Sequence, residues 1–384
     1  MNKEWFDKVI DRSGTHSVKW DVAKGELPRW VADMDFAIAP AIAEAVTKRA
    51  AHPVFGYNTI PEEWNEAYVN WWKTRHDFTM DPDWLIFTTG VIPALSTGVR
   101  RLMHAAEKVL INSPVYNVFY NSIVNNGRVV LDAPLAYDGE RFDINWKDFE
   151  EKLSDPQSSL YILCNPHNPV GRIWTKEELA RIGELCKIHH VRVISDEIHC
   201  DITAPGRSYT PFAAASDTCR EISVTAIAPT KAFNIAGLHT AAVMVPDEAL
   251  RHQMWRGLNN DEVAEANAFA VDAAIAAFTK GSEWLDAMRE YVEANKNYVR
   301  TYLKEHVPEI TVPQSEATYL LWLDCTKLTE DSKAFAKEIR KKTGLYLSNG
   351  AQYGGVGTGF LRINLACPRA YVEDGMRRLQ EAVR

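Results

Sequence analysis

Five short apolar runs in this chain each end in residues able to do chemistry. "LIFTT" leads to Gly90-Val91-Ile92 at a helix start, and "KVLI" to Asn112-Ser113-Pro114-Val115-Tyr116. "LYILC" leads to Asn165-Pro166-His167-Asn168-Pro169-Val170-Gly171, "RVIS" to Asp196-Glu197-Ile198-His199, and "SVTAIA" to Pro229-Thr230-Lys231. The N–H groups of a helix start hold a phosphate. A lysine forms a Schiff base with an aldehyde. A carboxylate keeps a pyridine nitrogen protonated, an amide donates to a ring oxygen, and an aromatic stacks on a ring face. Taken singly, each has a plainer use. Gly90 is a strand-to-helix turn, Asn168 between prolines is turn chemistry, Asp196 caps a helix, and Lys231 is solvated. Taken together they suit pyridoxal 5'-phosphate.

Such a set converges only if the runs are strands of one sheet. From about Asp83, short near-continuous apolar runs ("WLIFTTG", "KVLINSPVY", "RVVLDAPLAY", "SLYILCNPHNPVG", "VRVISDEIH", "EISVTAIAPTK", "HTAAVMVP") alternate with helical stretches such as "TKEELARIGELCKIHH". This pattern predicts an α/β fold with a doubly wound, mostly parallel sheet. Ligands of such sheets bind beyond the carboxyl ends of the strands. After about residue 255 long helices follow, then a second αβ region with candidate strands "ATYLLWLD" and "GFLRINLA". The expected division is an N-terminal segment 1–45 packing on the small domain, a large cofactor-binding domain 46–280 and a smaller C-terminal α/β domain 281–384. The lack of a Gly/Ser-rich linker predicts close docking.

The bulk numbers narrow the function class. The chain has 384 residues, 46% of them hydrophobic, with a net charge of −8. That acidic balance argues against a nucleic-acid or anionic-membrane partner. Cys164, Cys186, Cys200, Cys219, Cys325 and Cys367 form no C-x-x-C pair and read as reduced cytosolic thiols. The start, "MNKEWFDKVIDRSGTH", has no apolar signal core, and no run reaches bilayer-spanning length. A soluble cytoplasmic protein is expected.

"NPHNPVGR", "SDEIHCD" and "APTKAFNIAGL" resemble the fold-type I pyridoxal-phosphate enzymes of the class-II aminotransferase-like family, with their aspartate-aminotransferase-like fold. "RWVADMDF", "FGYN", "TTGVIPAL", "SPVYNVFY" and "GGVGTGFLRINLACPR" are similar to its cystathionine β-lyase subfamily of C–S lyases, and the match runs from about Trp30 to Arg369. The resemblance implies roles. Lys231 is the Schiff-base lysine and proton shuttle, Asp196 pairs with the pyridine nitrogen, and Asn168 meets the ring oxygen. Tyr116 stacks on the ring, the Val91 and Ile92 backbone holds the phosphate, and His199 stands where many relatives carry a tyrosine. Tyr57 reaches the phosphate of the neighbouring subunit, which implies a homodimer. Arg362 clamps the substrate α-carboxylate bidentately. The chain departs from its relatives at Ala228, where many carry a hydroxyl, and at His239, where many carry an arginine. The phosphate is then left to backbone N–H groups, Thr230 and Tyr57. The implied reaction is α,β-elimination of L-cystathionine or a related thioether to thiol, pyruvate and ammonia.

Two further readings compete. An aminotransferase would use the same Lys231, Asp196, Asn168 and Arg362, and the lyase-type motifs alone tip the balance. A cofactor-binding regulator would need an added DNA-binding module, for which there is no room before "RWVADMDF". "GGVGTG" lacks the strand before and helix after that a dinucleotide loop needs, and reads as a mobile loop leading to Arg362. His189-His190 and His199-Cys200 have no partners at zinc-site spacing, so no metal is expected. Trp71 and Trp72 are expected in core or dimer interface, while for Asp33 and Asp35 helix entry and pocket wall stay equally open.

Overall fold

The computed structural model describes residues 3–384. Its centre is a seven-stranded sheet in the order Leu85–Thr88, Ala241–Met244, Ser223–Ile227, Arg192–Asp196, Ser158–Cys164, Lys108–Ile111, Val129–Asp132. The last five pair in parallel, and Ala241–Met244 runs antiparallel to both its neighbours. Most strand residues are buried on both faces, which explains why they read as continuous rather than alternating apolar runs. Helices cover the sheet. One of them, Lys176–Ile188, starts at a capping box in which Thr175 and Glu178 satisfy each other's backbone N–H.

Parallel register fixes which residues share the sheet edge. Cys164 stands opposite Asp196, and Asp196 opposite Ala226. Asn168 and Lys231 each follow their strand ends, Cys164 and Ile227, by four residues, so the pairing itself gathers amide, carboxylate and amine.

The C-terminal region forms a three-stranded antiparallel sheet of Leu320–Asp324, Phe360–Asn364 and Ser348–Asn349. It has its own apolar core with the 25-residue helix Ser282–His306. "RVVLDAPLAY" is not one strand. Pro134 lies between Val129–Asp132 and a short hairpin of Ala136–Tyr137 with Phe142–Asp143. "GGVGTG" is not loose either. Its Gly355–Gly359 forms a 3-10 turn packed on the preceding one, Gly350–Tyr353, and a Cβ on Gly350 or Gly357 would strike backbone of the other turn. Trp71 and Trp72 are buried in the core beside the large sheet.

Residues 29–36 form an extended strap between the two sheets. Leu27 and Pro28 pair in parallel with Leu345 and Tyr346. The strap then takes hydrogen bonds from Arg362 and Asn364 on one side and from Lys231 and Asn234 on the other. Charge fixes it. Asp35 accepts from Lys19 Nζ at 2.7 Å, Arg29 Nη2 at 2.6 Å and Arg12 Nη1 at 2.8 Å. Burial alone would raise the Asp35 carboxyl, but Lys19 and Arg29 overcome it and hold it well below the usual range. Asp33 pairs with Arg12 at 2.7 Å and Lys19 at 3.4 Å. Both aspartates thus belong to a structural charge cluster.

A buried lysine braces the loop that presents Asn168. Gly171 has φ 75°, and a Cβ there would meet Ser315 and the Ala317 carbonyl. Its own carbonyl takes the N–H groups of Glu316 and Ala317 at 2.8 and 3.0 Å. Lys296 Nζ then donates to Ala317 O at 3.1 Å and Ser315 Oγ at 3.3 Å, without a carboxylate in pairing range among the described residues. Burial lowers its pKa to about 7. Between about 7 and the ordinary 10.5 the unfolded chain binds the extra proton, so this group makes stability rise with pH through that window. Lys296→Met is expected to flatten the rise by about 1 kcal/mol per pH unit, read by urea unfolding at about pH 7 and 9. Identical slopes in both proteins would contradict a buried, proton-poor lysine.

Candidate active site

Lys231, Asp196, Asn168, Tyr116, His199 and Thr230 line one cavity of about 290 Å³, together with Val91 and Ile92. One end of the cavity is a helix start. Helix Val91–Arg101 has Gly90 at its N-cap and no side-chain cap, which leaves N–H groups for an anion.

Asp196 is 4% exposed and accepts from Ile198 N at 3.1 Å, with no cation in pairing range among the described residues. Burial pushes its pKa up to about 7, and Lys231 only partly offsets this. Lys231 Nζ donates to Ala32 O at 2.5 Å. Burial first and Arg362 second lower its pKa to about 8, with Asp33 and Asp196 opposing. His199 is buried, and burial, Lys231 and Arg362 bring it down to about 3, so its ring is neutral. Its Nδ1 is buried without a partner among the described residues. Burial also raises the Tyr116 phenol, against the pull of Arg362.

Arg362 lies on strand Phe360–Asn364, behind the Asn168 of the cavity lining. Its Nη1 donates to Asn168 Oδ1 at 3.2 Å and its Nη2 to Trp30 O at 3.0 Å. The guanidinium packs 4.8 Å over the Tyr353 ring, and its Nε is buried without a partner. Among the described residues no carboxylate pairs with it. The bond to Arg362 also orients Asn168, which leaves the amide NH2 free to donate.

These observations fit the pyridoxal phosphate expected from the sequence. A buried carboxylate without a cation matches a pyridinium, a lysine poised near neutrality matches an aldehyde, and an uncapped helix start matches a phosphate. His239 also lines the cavity, in left-handed conformation at φ 49°, whereas Ala228 is buried outside it. Tyr57 is 99% exposed and borders a separate surface hollow beside Gly237 and Phe269, so this chain does not bring it to its own Lys231. Sequence reasoning missed Ala32 and Cys164 in the lining and Tyr319 behind it, and left Asp33 open between helix entry and pocket wall. Ala32 O accepts from Lys231 and from Tyr319 at 2.8 Å, across chain separations that no local pattern encodes.

The lowered lysine has a kinetic signature. Only a neutral amine attacks an aldehyde, so covalent capture of the cofactor by unloaded protein is expected to speed up with pH and level off above about 8. Stopped-flow absorbance between about pH 6 and 10 reads this. A rate still climbing through the top of that range would mean an ordinary lysine.

The family model for aminotransferase class I and II matches residues 31–379. The chain belongs to this family. Among family relatives, cystathionine beta-lyase PatB of Bacillus subtilis (strain 168) is 41% identical over 98% of this chain and 99% of its own. Protein MalY of Escherichia coli (strain K12) is 33% identical over 99% and 98%. Of solved class I and II structures, cystalysin from Treponema denticola, which contains a pyridoxal 5'-phosphate cofactor, superposes with TM-score 0.95 at 30% identity, covering 98% of each chain. The C–S lyase from Staphylococcus hominis, in complex with L-cycloserine, has TM-score 0.91 at 33% identity, again over 98% of each chain.

Proposed function

We propose that this protein is a pyridoxal-phosphate-dependent carbon–sulfur lyase, a cystathionine β-lyase or cysteine-S-conjugate β-lyase, converting L-cystathionine or a related thioether to a thiol, pyruvate and ammonia. The observation that carries it is a half-buried, near-neutral amine and a buried carboxylate lining one cavity, with an arginine bonded to the Asn168 of that lining, neither the carboxylate nor the arginine being paired by an opposite charge among the described residues. The 41% identity to PatB over nearly the whole chain favours elimination over transamination.

The bound cofactor supplies an electron sink for the bonds at the substrate Cα. Lys231 and Thr230, with the Val91 and Ile92 N–H groups, would hold it, as would Asp196, Asn168, Tyr116 and His199. Arg362 clamps the α-carboxylate through its free guanidinium edge and so fixes the amino acid in the cavity. That clamp orients the Cβ–S bond for overlap with the breaking Cα–H bond. The Lys231 amine takes the α-proton. Asp196, ionised against the cationic ring, keeps a proton on the ring nitrogen. The sulfur leaves with the Cβ–S electron pair, and the unsaturated amino acid left behind hydrolyses to pyruvate and ammonia. The apolar lining and the neutral His199 add no competing charge beside Lys231.

The working unit we infer is a cytoplasmic homodimer in which Tyr57 serves the neighbouring site. Val54, Phe55 and Tyr57 stand exposed on one segment, and all six cysteines are free and buried. The apolar cores support a large unit at 46–280 and a small one at 281–384, but the N-terminal segment does not pack on the small unit alone: Leu27 joins that core, while Phe6, Met34, Phe36, Ala39 and Ile42 join the core around helix Glu62–His76. Among the described residues no helix is long and apolar enough to cross a membrane.

The test is an assay of cofactor-loaded protein with L-cystathionine and no keto acid, following pyruvate and free thiol together. Equal appearance of both supports elimination. No pyruvate, with a visible band that bleaches until a keto acid restores it, would make the protein an aminotransferase.

A further inference from the structure

Directly after Asp196, a second carboxylate is sealed inside the fold. Glu197 is 0% exposed, and four donors surround it. Oε1 accepts from Ser195 Oγ at 2.8 Å, Phe212 N at 2.8 Å and Asn165 Nδ2 at 3.4 Å, and Oε2 from Tyr209 OH at 2.6 Å. Two of these, the Phe212 amide and the Asn165 NH2, can only donate, and both meet Oε1. Among the described residues no cation is in pairing range. All four contacts come from neutral donors, which favour the carboxylate against the burial that raises its pKa from the ordinary glutamate value.

The position gives that anion a purpose. Glu197 N donates to Ala226 O at 2.9 Å, on the strand Ser223–Ile227 that leads to Lys231. Its side chain holds Asn165, whose own N–H donates to Asp196 O at 2.9 Å and which begins the loop carrying Asn168. One residue thus ties together the three strand ends that deliver amine, carboxylate and amide. Its charge also lies next to Asp196 and acts on it.

We propose that Glu197 is a positioning residue of the cofactor site, cross-linking the ends of three strands and adding a fixed negative charge behind Asp196 that favours a cation at the ring nitrogen. The inference rests on the assignment of Asp196, Asn168 and Lys231 to the cofactor.

The variants are Glu197→Gln, which keeps shape and removes charge, and Tyr209→Phe and Ser195→Ala, which each remove one donor and keep the charge. The readouts are kcat and KM, the dissociation constant for pyridoxal phosphate added to unloaded protein, the pH midpoint of the visible absorbance change, and Tm. Glu197→Gln is expected to lower kcat per bound cofactor about 10²-fold, with KM inside about a factor of three. It should weaken cofactor binding and shift the pH midpoint. The donor variants should lose less kcat in the same direction and keep the midpoint. Unchanged kcat per bound cofactor and midpoint in Glu197→Gln, with only Tm lowered, would reduce the residue to a fold brace and overturn the proposal. If Glu197→Gln does not fold, unchanged kcat in both donor variants overturns it. Failure of the lyase reading shows separately, as wild-type protein that binds cofactor yet makes no pyruvate, and leaves the binding and midpoint readouts in force.

Discussion

Lys231→Ala is expected to lower turnover by about 10³–10⁴-fold while the protein still takes up pyridoxal phosphate. Lys231 is the amine of the cavity, and its pKa of about 8 leaves part of it unprotonated near neutrality. Alanine removes both the covalent tether and the group that carries the α-proton. The remaining holders, which are the uncapped start of helix Val91–Arg101, Asp196 and Asn168, are untouched. The check has two arms. Initial rates of pyruvate formation give the loss. Borohydride reduction followed by unfolding tells tethered from merely bound cofactor, since wild-type chain keeps the label and the variant releases it. Activity within about tenfold of wild type would sink the assignment of Lys231.

Arg362→Ala is expected to cut kcat/KM about 10²–10³-fold, the loss of a bidentate charge-assisted clamp worth about 3–4 kcal/mol. The guanidinium also holds Asn168 Oδ1 and Trp30 O, so the variant frees the amide and the strap together. Arg362→Lys is not a conservative change here. One ammonium cannot serve Asn168, Trp30 and a carboxylate in a planar fork, and most of the loss should persist. Comparing an amino acid substrate with the amine lacking its carboxylate isolates the clamp. Wild type should prefer the carboxylate-bearing substrate strongly and Arg362→Ala weakly. An equal preference in both would place carboxylate recognition elsewhere.

What could be read from the sequence follows from where each signal is encoded. The strand ends before Asn168, Asp196 and Lys231 were legible because double burial forces continuous apolar runs, and register does the rest. Arg362 became a site residue only through resemblance, since nothing near "FLRINLA" marks it as facing Asn168. Pro134 carried a break signal that the long run "RVVLDAPLAY" masked. The two Gly-rich turns looked loose because their packing is backbone on backbone, which composition does not record. Asp33 and Asp35 were open because their cations, Arg12 and Lys19 among them, sit on a segment without periodicity. Cys200 was weighed with its sequence neighbour His199. The fold instead sets it within 4.8 Å of His76 and Asp201, a grouping that exists only once helix Glu62–His76 has packed.

The strap has a consequence for how the protein comes into being on the ribosome. Trp30 O is held by Arg362, 332 positions further along the chain, and Leu27 pairs with Leu345. The stretch bearing the carbonyl that meets Lys231 therefore waits for partners made 332 residues later. At elongation rates of about 5–20 residues per second that delay is roughly 20 to 60 s. A nascent chain can close the seven-stranded sheet in that time, but not the wall between Lys231 and Arg362. Birth order thus delays cofactor capture by the finished pocket until the strand carrying Arg362 has been made and packed on the strap.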